Sequence, residues 1–347
     1  MKRTIISLAA LVCCTFGVFA QTDLVATLSH GSNLTTYFGA NALSEAYETA
    51  VEGDVVTLSP GGFNAVNIEK AIIVRGAGMM ATETNGYIST QITGDMTINV
   101  PSNTSTILTI EGIQALGSVH INGENLAPVK VLKSRFEAGV SGYGVSMNAY
   151  SCIFATGLSA DNYYGQRNTI FKCLNCVIVS AQCRGYDDYY GTVARIEATN
   201  SLVNIYYNSA SYCVFNNCII TSHLAGNNPL PETCSAQNCI GINTTNTPDL
   251  FVNINNPSNF MVEGSSEAAF TSIFKTLSML EARPAFTETF ELTETAAASY
   301  LGDDGTQVGI YGGTNAFNPT PSNPQIKKFT VNSTTEGNQL KVKINVE

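Results

Sequence analysis

Four asparagines in the middle of the chain mark the same point of a recurring unit. They are Asn175, Asn200, Asn217 and Asn238, in the stretches LNCVIV, TNSLVN, NNCIIT and QNCIGI. Each is followed at once by a small residue (Cys176, Ser201, Cys218 or Cys239) and then by a short apolar run, and the steps between them are 25, 17 and 21 residues. A second mark keeps the same rhythm: Tyr164-Gly165, Tyr190-Gly191 and Tyr207-Asn208 each precede an asparagine by 10 or 11 positions. A repeat of about 20 residues built from short strands is the signature of a solenoid, in which every coil stacks on the next.

Period-two alternation sets the expected faces. It puts Cys218 with Ile220, Cys176 with Ile178 and Ser201 with Val203 on one side of their strands. Stacked at roughly 4.8 Å per rung, equivalent positions pile into ladders. The sequence thus predicts an internal ladder of Cys176, Ser201, Cys218 and Cys239, and an asparagine ladder at the turn with each side-chain amide bonding the next rung. A leucine-rich repeat is a poor alternative, because the leucine framework is missing. With 44% hydrophobic and 13% charged residues, the chain has the composition of a well-buried β protein and not of a disordered one. Its net charge of −10 argues against nucleic acid and anionic membrane surfaces as partners.

The first 20 residues read as a secretory signal: Lys2 and Arg3, an apolar stretch from Ile5 to Phe19, and small residues before a cleavage point after Ala20. The stretch is short for a transmembrane anchor, so none is expected, and the mature protein is placed outside the cell, in a periplasm or at the cell surface. Asn41 is positioned as a helix N-cap, and Ala42, Leu43, Ala46, Tyr47 and Ala50 give the helix an apolar face. Turns at Gly53-Asp54 and Pro60-Gly61-Gly62 then punctuate strands at 55–58 and 72–74.

The segment ALSEAYETAVEGDVVTLSPGGF…VNIEKAIIVRGAG, with LGDDGTQVGIYGG at residues 301–313, resembles the opening and closing segments of secreted right-handed parallel β-helix proteins of the pectate-lyase-like superfamily. The resemblance covers roughly residues 22–315. It implies an all-β fold: a single-stranded right-handed parallel β-helix, a β-solenoid with an N-terminal capping helix that covers the open first coil. Its functional implication is broad, since this architecture serves lyases, hydrolases, adhesins and other secreted proteins. The predicted organisation is a signal peptide at 1–20, the β-helix domain with its cap at 21–315, a linker at 316–325 and a short β-hairpin tail at 326–347. Within the domain, residues 265–280 read as a helix or a helical insertion near the far end.

Eight cysteines follow the signal, all between Cys152 and Cys239. They read as small apolar core residues stacked rung on rung. Disulfides stay open as an alternative in an oxidising compartment. A metal site is not expected, because Cys173-x2-Cys176 has no matching second pair and no histidine beside it.

Tyrosines crowd the central coils, and a tyrosine offers a flat apolar face with a polar tip, which suits a sugar ring. Tyr164, Tyr190 and Tyr207, with Tyr163 and Tyr189, are therefore the candidate ligand-binding residues, stacked as a stripe along one edge. The structural alternative is a ladder of aromatics that only stiffens the coil. For catalysis on sugars the candidates are Asp187 and Asp188, the only paired acids in the coils, with Arg184 and Arg195. Pectin hydrolases of the superfamily also carry a Gly-His-Gly and an Arg-Ile-Lys; here the first is missing, and Arg195-Ile196 is followed by Glu197. The expected function is accordingly non-catalytic, contact with glycans or a surface through the tyrosine-rich face. A polysaccharide lyase or glycoside hydrolase and a purely structural surface protein are the alternatives. No cofactor is expected, and Ca2+ enters only for a lyase. The partner implied is a polysaccharide or surface glycan; the sequence leaves the oligomeric state open.

Overall fold

The computed structural model describes residues 24–80, 89–102, 104–162, 167–184, 186–187, 191–210, 212–222, 229–243, 249–254, 256–262, 266–280, 283–322, 326–331 and 342–346. The predicted signal at 1–20 lies outside the described residues. The chain is a parallel β-solenoid of about eight turns. Among the described residues the coils build three parallel sheets, of which the third has the fewest strands. The first runs through Val55–Leu58, Ile73–Arg75, Leu108–Glu111, 129–132, 146–150, Thr169–Leu174, Thr192–Thr199, Val214–Asn216 and Ser235–Gln237. The second runs from Gly61–Asn64 through Thr90–Thr93, Ile113–Ala115, Arg135–Phe136, Ile153–Phe154, 177–178, 202–205 and Ile219–Ser222 to Ile240–Asn243 and Phe260–Val262. The third holds Met96–Asn99, 119–122, 140–143, Leu158–Asp161 and 181–184.

The asparagines sit where the chain passes from the first sheet to the second. Asn175, Asn200, Asn217 and Asn238 have φ of 53°, 46°, 52° and 51°. This is the left-handed region, which costs an ordinary residue about 1–2 kcal/mol and which asparagine enters most readily after glycine. A single left-handed residue makes the corner, and its amide continues the ladder: Asn175 N donates to Thr199 O at 3.1 Å, Asn200 N to Asn216 O at 3.0 Å and Asn217 N to Gln237 O at 2.9 Å. The column extends further than the asparagines, to Ser151, Lys133 and Gly112, whose φ values are 51°, 48° and 68°.

The small residues behind them point inward as expected. Cys176, Ser201, Cys218 and Cys239 are fully buried. Each thiol turns back on the carbonyl two residues earlier, Leu174 at 3.4 Å, Asn216 at 3.2 Å and Gln237 at 3.3 Å, and Ser201 Oγ does the same to Thr199 at 2.8 Å. The interior is filled from all three sheets. Examples are Val74, Ile110 and Phe215 from the first, Phe63, Ile92 and Ile220 from the second, and Ile98 and Ile121 from the third. Phe136 and Phe154 stack on successive rungs at 5.3 Å between centroids.

The asparagine side chains do not bond one another as the ladder expectation had it, because a later segment of the chain takes them. Asn175 Nδ2 donates to Ile310 O and Gly312 O, both at 2.8 Å, and Asn217 Nδ2 donates to Asp303 Oδ1 at 2.7 Å. At Gly313, with φ of 76°, an added Cβ would run into Asn200 Nδ2, so the close approach of this segment requires glycine. The segment goes on toward the first coils, where Asn318 N meets Ser151 Oγ at 3.2 Å and Ser322 N meets Glu111 Oε1 at 2.8 Å.

At the N-terminal end, Val25–His30 and Asn33–Phe38 form an antiparallel hairpin whose first strand also pairs antiparallel with Val55–Leu58. The helix α1 spans Ala42–Thr49 and adds Ala42, Leu43 and Ala46 to the interior. Asn41 precedes it, yet makes no side-chain cap; its Oδ1 accepts from Asn64 Nδ2 at 2.7 Å instead. The far end of α1 is held by Lys70 Nζ, which donates to the carbonyls of Tyr47, Glu48 and Ala50 at 2.8–3.0 Å. A cation there meets the negative end of the helix dipole.

The helix predicted over 265–280 is shorter. α2 covers Ser266–Ile273, and Phe274 then leaves it to bridge Leu292. A third short helix, α3, spans Glu294–Ser299 and is capped by Thr293 Oγ1 accepting from Ala296 N at 3.2 Å. Ile326–Val331 and Val342–Val346 form the expected antiparallel hairpin, and its turn lies outside the described residues.

Candidate functional site

The outward sides of the second and third sheets are built from different residues, and this difference locates the candidate surface. Outward residues of the second sheet form the in-register column Ile153, Val177, Leu202, Ile219 and Ile240. All five are buried, because α2, α3 and the segment to Ile310 lie over them with Phe270, Ile273, Phe274, Phe290, Leu292 and Val308. These strands are apolar on both sides, as strands covered on both faces are.

The outward side of the third sheet is polar and open. Its strands read Met96-Thr97-Ile98-Asn99, Val119-His120-Ile121-Asn122, Val140-Ser141-Gly142-Tyr143 and Leu158-Ser159-Ala160-Asp161, with the polar residue of each pair outward. Thr97, Asn99, His120, Asn122, Ser141, Tyr143, Ser159 and Asp161 are all exposed or half-buried. In register they make two columns, Thr97–His120–Ser141–Ser159 and Asn99–Asn122–Tyr143–Asp161. Neighbouring rungs bond through these side chains: Asn122 Nδ2 to Asn99 Oδ1 at 3.3 Å, Asn99 Nδ2 to Glu69 Oε1 at 3.1 Å, and His120 Nδ1 with Ser141 Oγ at 2.8 Å. Within one strand Ser159 Oγ donates to Asp161 Oδ1 at 2.7 Å. Arg167 lies 5.4 Å from the Tyr143 ring centroid and donates to Gly123 O at 2.8 Å. The face thus presents amides, hydroxyls, a carboxylate, an imidazole and an aromatic ring at the rung spacing.

In sequence, the tyrosine-rich stretches come directly after strands of this same sheet. Residues 163–166 follow Leu158–Asp161, and residues 185–190 follow Val177–Arg184. Tyr206 and Tyr207 lie in the strand Leu202–Ala210, which pairs with Val177–Arg184 through Ala210 opposite Cys183. The candidate residues Tyr163, Tyr164, Tyr189, Tyr190 and Asp188 lie outside the described residues, as do the side chains of Tyr207, Arg184 and Asp187. Their backbones are partly placed. Arg184 is the partner of Asp161 on the next rung, and Asp187 pairs antiparallel with Thr192. Arg195 belongs to the first sheet, opposite Ile170, where its guanidinium pairs with Glu197 two residues on. Arg195 is therefore committed to a neighbouring carboxylate on its own strand.

His120, Ser141, Asn99, Asn122 and Ser159 were not singled out from the sequence. Their signal was the alternation of MTIN, VHIN, VSGY and LSAD, in which no single outward residue type runs through all four strands.

Two other places carry polar groups. A buried cluster lies at the start of the second sheet's outer side: Gln114 Oε1 accepts from Ser89 Oγ at 2.8 Å, Gln114 Nε2 donates to Glu137 Oε1 at 2.7 Å, and Arg135 donates to the same Oε1 at 2.6 Å. Arg135 also donates to Pro284 O at 2.6 Å and lies under the Phe286 ring, so this cluster anchors the covering segment. A cavity of about 400 Å³ opens within that segment between Thr276–Met279 and Arg283–Glu288, where Glu288 already accepts from Thr276 Oγ1 at 2.6 Å. Among the described residues no group of three or more His, Cys, Asp or Glu side chains is placed to hold a metal ion.

The fold defines a β-solenoid repeat protein. No family model, curated protein or solved structure matches the chain.

Proposed function

We propose that this is an exported β-helix protein of the pectate-lyase-like kind that contacts a polysaccharide or surface glycan, without turnover, along the open face of its third sheet and the tyrosine-rich stretches beside it. One observation carries the reading. The chain covers the apolar outer side of the second sheet with its own C-terminal segment, while the third sheet keeps an exposed or half-buried row of amide, hydroxyl and carboxylate groups among the described residues. Sugars are bound by such groups together with aromatic faces, and a solenoid builds a long surface by repetition, so a chain-like ligand gains a little at each rung. Right-handed coiling belongs to the same proposal, since crossovers between parallel strands are right-handed in about 98% of cases.

A glycan array run beside reducing-end and unsaturated-uronate assays tests it. Binding without turnover is expected. Replacing Tyr164 and Tyr190 together by alanine is expected to abolish binding with the fold intact, and Tyr190→Phe to bind better than Tyr190→Ala, since phenylalanine keeps the ring face. Turnover that disappears in Asp188→Asn would replace the reading with an enzymatic one.

A further inference from the structure

Several thiols in the coils lie against one another: Cys213 contacts both Cys183 and Cys234, and Cys218 contacts Cys239. Cys183 Sγ and Cys213 Sγ lie 2.9 Å apart, 30 positions apart in sequence. The fold makes the meeting. Cys183 is an inward residue of the third sheet, in register with Ala160 before it and Ala210 after it. Cys213 immediately precedes Val214, the first residue of a first-sheet strand, and its carbonyl accepts from Ser235 N at 3.0 Å. The two side chains therefore close the inner corner between the third and first sheets, with 3% and 0% of their surface exposed. A disulfide requires about 2.05 Å between sulfurs, so less than 1 Å of movement separates the two arrangements.

We propose that Cys183 and Cys213 form a disulfide when the chain folds in an oxidising compartment, linking the third sheet to the first at this inner corner. The oxidant is a low-molecular-weight or protein disulfide, RSSR. One cysteine thiolate attacks it, a mixed Cys–S–S–R bond forms and RS⁻ leaves. The second thiolate then attacks the cysteine sulfur of that bond, giving Cys183–S–S–Cys213 and a second RS⁻. The two thiol protons end on the two released thiols, and RSSR takes the two electrons. Burial pushes the Cys213 thiol well above its ordinary range, so the exchange belongs to folding, before the corner closes over it. The thiols of Cys152, Cys176, Cys218 and Cys239 each donate to a carbonyl two residues back. The inference does not rest on the glycan reading.

The test refolds the reduced, denatured full chain in a glutathione redox buffer, alkylates the remaining thiols and maps the peptides. The expected result is a Cys183–Cys213 link and two fewer alkylated cysteines among the eight from Cys152 to Cys239 than in the fully reduced chain. Reduction is then expected to lower the thermal midpoint of the wild type and to leave that of Cys183→Ser and of Cys213→Ser unchanged. All eight thiols alkylated after refolding, or a link between Cys213 and its neighbour Cys234 in place of Cys183, overturns the proposal. The wild-type map decides the matter even where a serine variant fails to fold.

Discussion

The second and third sheets share a backbone geometry, a rung spacing and a packed inner side, and they differ in what their outer side chains meet. Ile219 stands on the second sheet and is 1% exposed under Val308 and its neighbours. Asn122 stands on the third and is exposed. The apolar side folds chain onto itself; the polar side is left to solvent and whatever partner arrives. In a solenoid the coil supplies structure everywhere, so the outer residues decide which sheet becomes a second core and which a surface.

The sharpest way to break this comparison is to put a carboxylate on each side. Ile219→Asp is expected to cost more than about 4 kcal/mol, since an unpaired charge would sit in an apolar layer. Asn122→Asp is expected to stay within about 0.5 kcal/mol, since its site is wet. Denaturant unfolding of the two variants measures both. Equal losses would mean that the two outer sides are not different environments.

The next effect sits on the boundary, at the corner that joins the second sheet to its cover. Asn217 does two jobs: it takes the left-handed conformation with φ of 52°, and its amide exchanges hydrogen bonds with Asp303 at 2.7 and 3.3 Å. Asn217→Ala loses both and is expected to cost about 2–3 kcal/mol. Asn217→Gly keeps the conformation without strain and is expected to cost about 1 kcal/mol less. A glycine variant no better than the alanine one would assign the whole effect to the covering segment.

These asparagines also show how far the sequence could be read. Their phase gave the solenoid, the turn and the inward column of Cys176, Ser201, Cys218 and Cys239, because a left-handed corner and a tight inner site each restrict residue type. Lys133 and Ser151 occupy the same corner and escaped notice, since the backbone penalty there is small enough for other residues to bear. The covered side was present in the text as Val177-Ile178-Val179 and Cys218-Ile219-Ile220, apolar on both phases of the strand. Which later segment would cover it depends on contacts such as Asn175 with Ile310, 135 positions away, and no local pattern encodes them. The open face was legible only as alternation, because a solvated position accepts any polar side chain. Helix α1 was legible from its apolar face, and Asn41 takes the N-cap position but not the capping bond, because Asn64 offers its side chain a partner.

A smaller effect is expected from pH. Burial raises the thiols of Cys176 and Cys218 well above the ordinary value of 9.0. In the unfolded chain they ionise near that value while the folded chain keeps its protons, so the unfolded state binds fewer protons at high pH and stability falls there. The contribution is therefore complete below about pH 9 and declines above it, by about 1.4 kcal/mol per pH unit for each such thiol. Cys218→Ala is expected to make the alkaline decline of the unfolding free energy shallower without altering its slope between pH 6 and 8. An unchanged decline would show that the thiol is not held neutral by burial.

The smallest effect on stability is expected on the open face, and it carries the functional half of the comparison. His120 Nδ1 and Ser141 Oγ bond at 2.8 Å on adjacent rungs, but both groups can reach water, and a solvent-exposed hydrogen bond exchanged for one to water contributes little net free energy. His120→Ala is therefore expected to change stability by less than about 0.5 kcal/mol. The same is expected of His120→Ala combined with Asn122→Ala, because neither side chain fills an interior space. If the face is a ligand surface, that double variant folds normally and binds the captured glycan more weakly. If it is only the wet side of a coil, the variant folds and binds as the wild type does, and the surface must lie in the tyrosine-rich stretches alone. A loss of stability approaching that of Asn217→Ala would contradict both, since it would mean that the open row is part of what holds the rungs together.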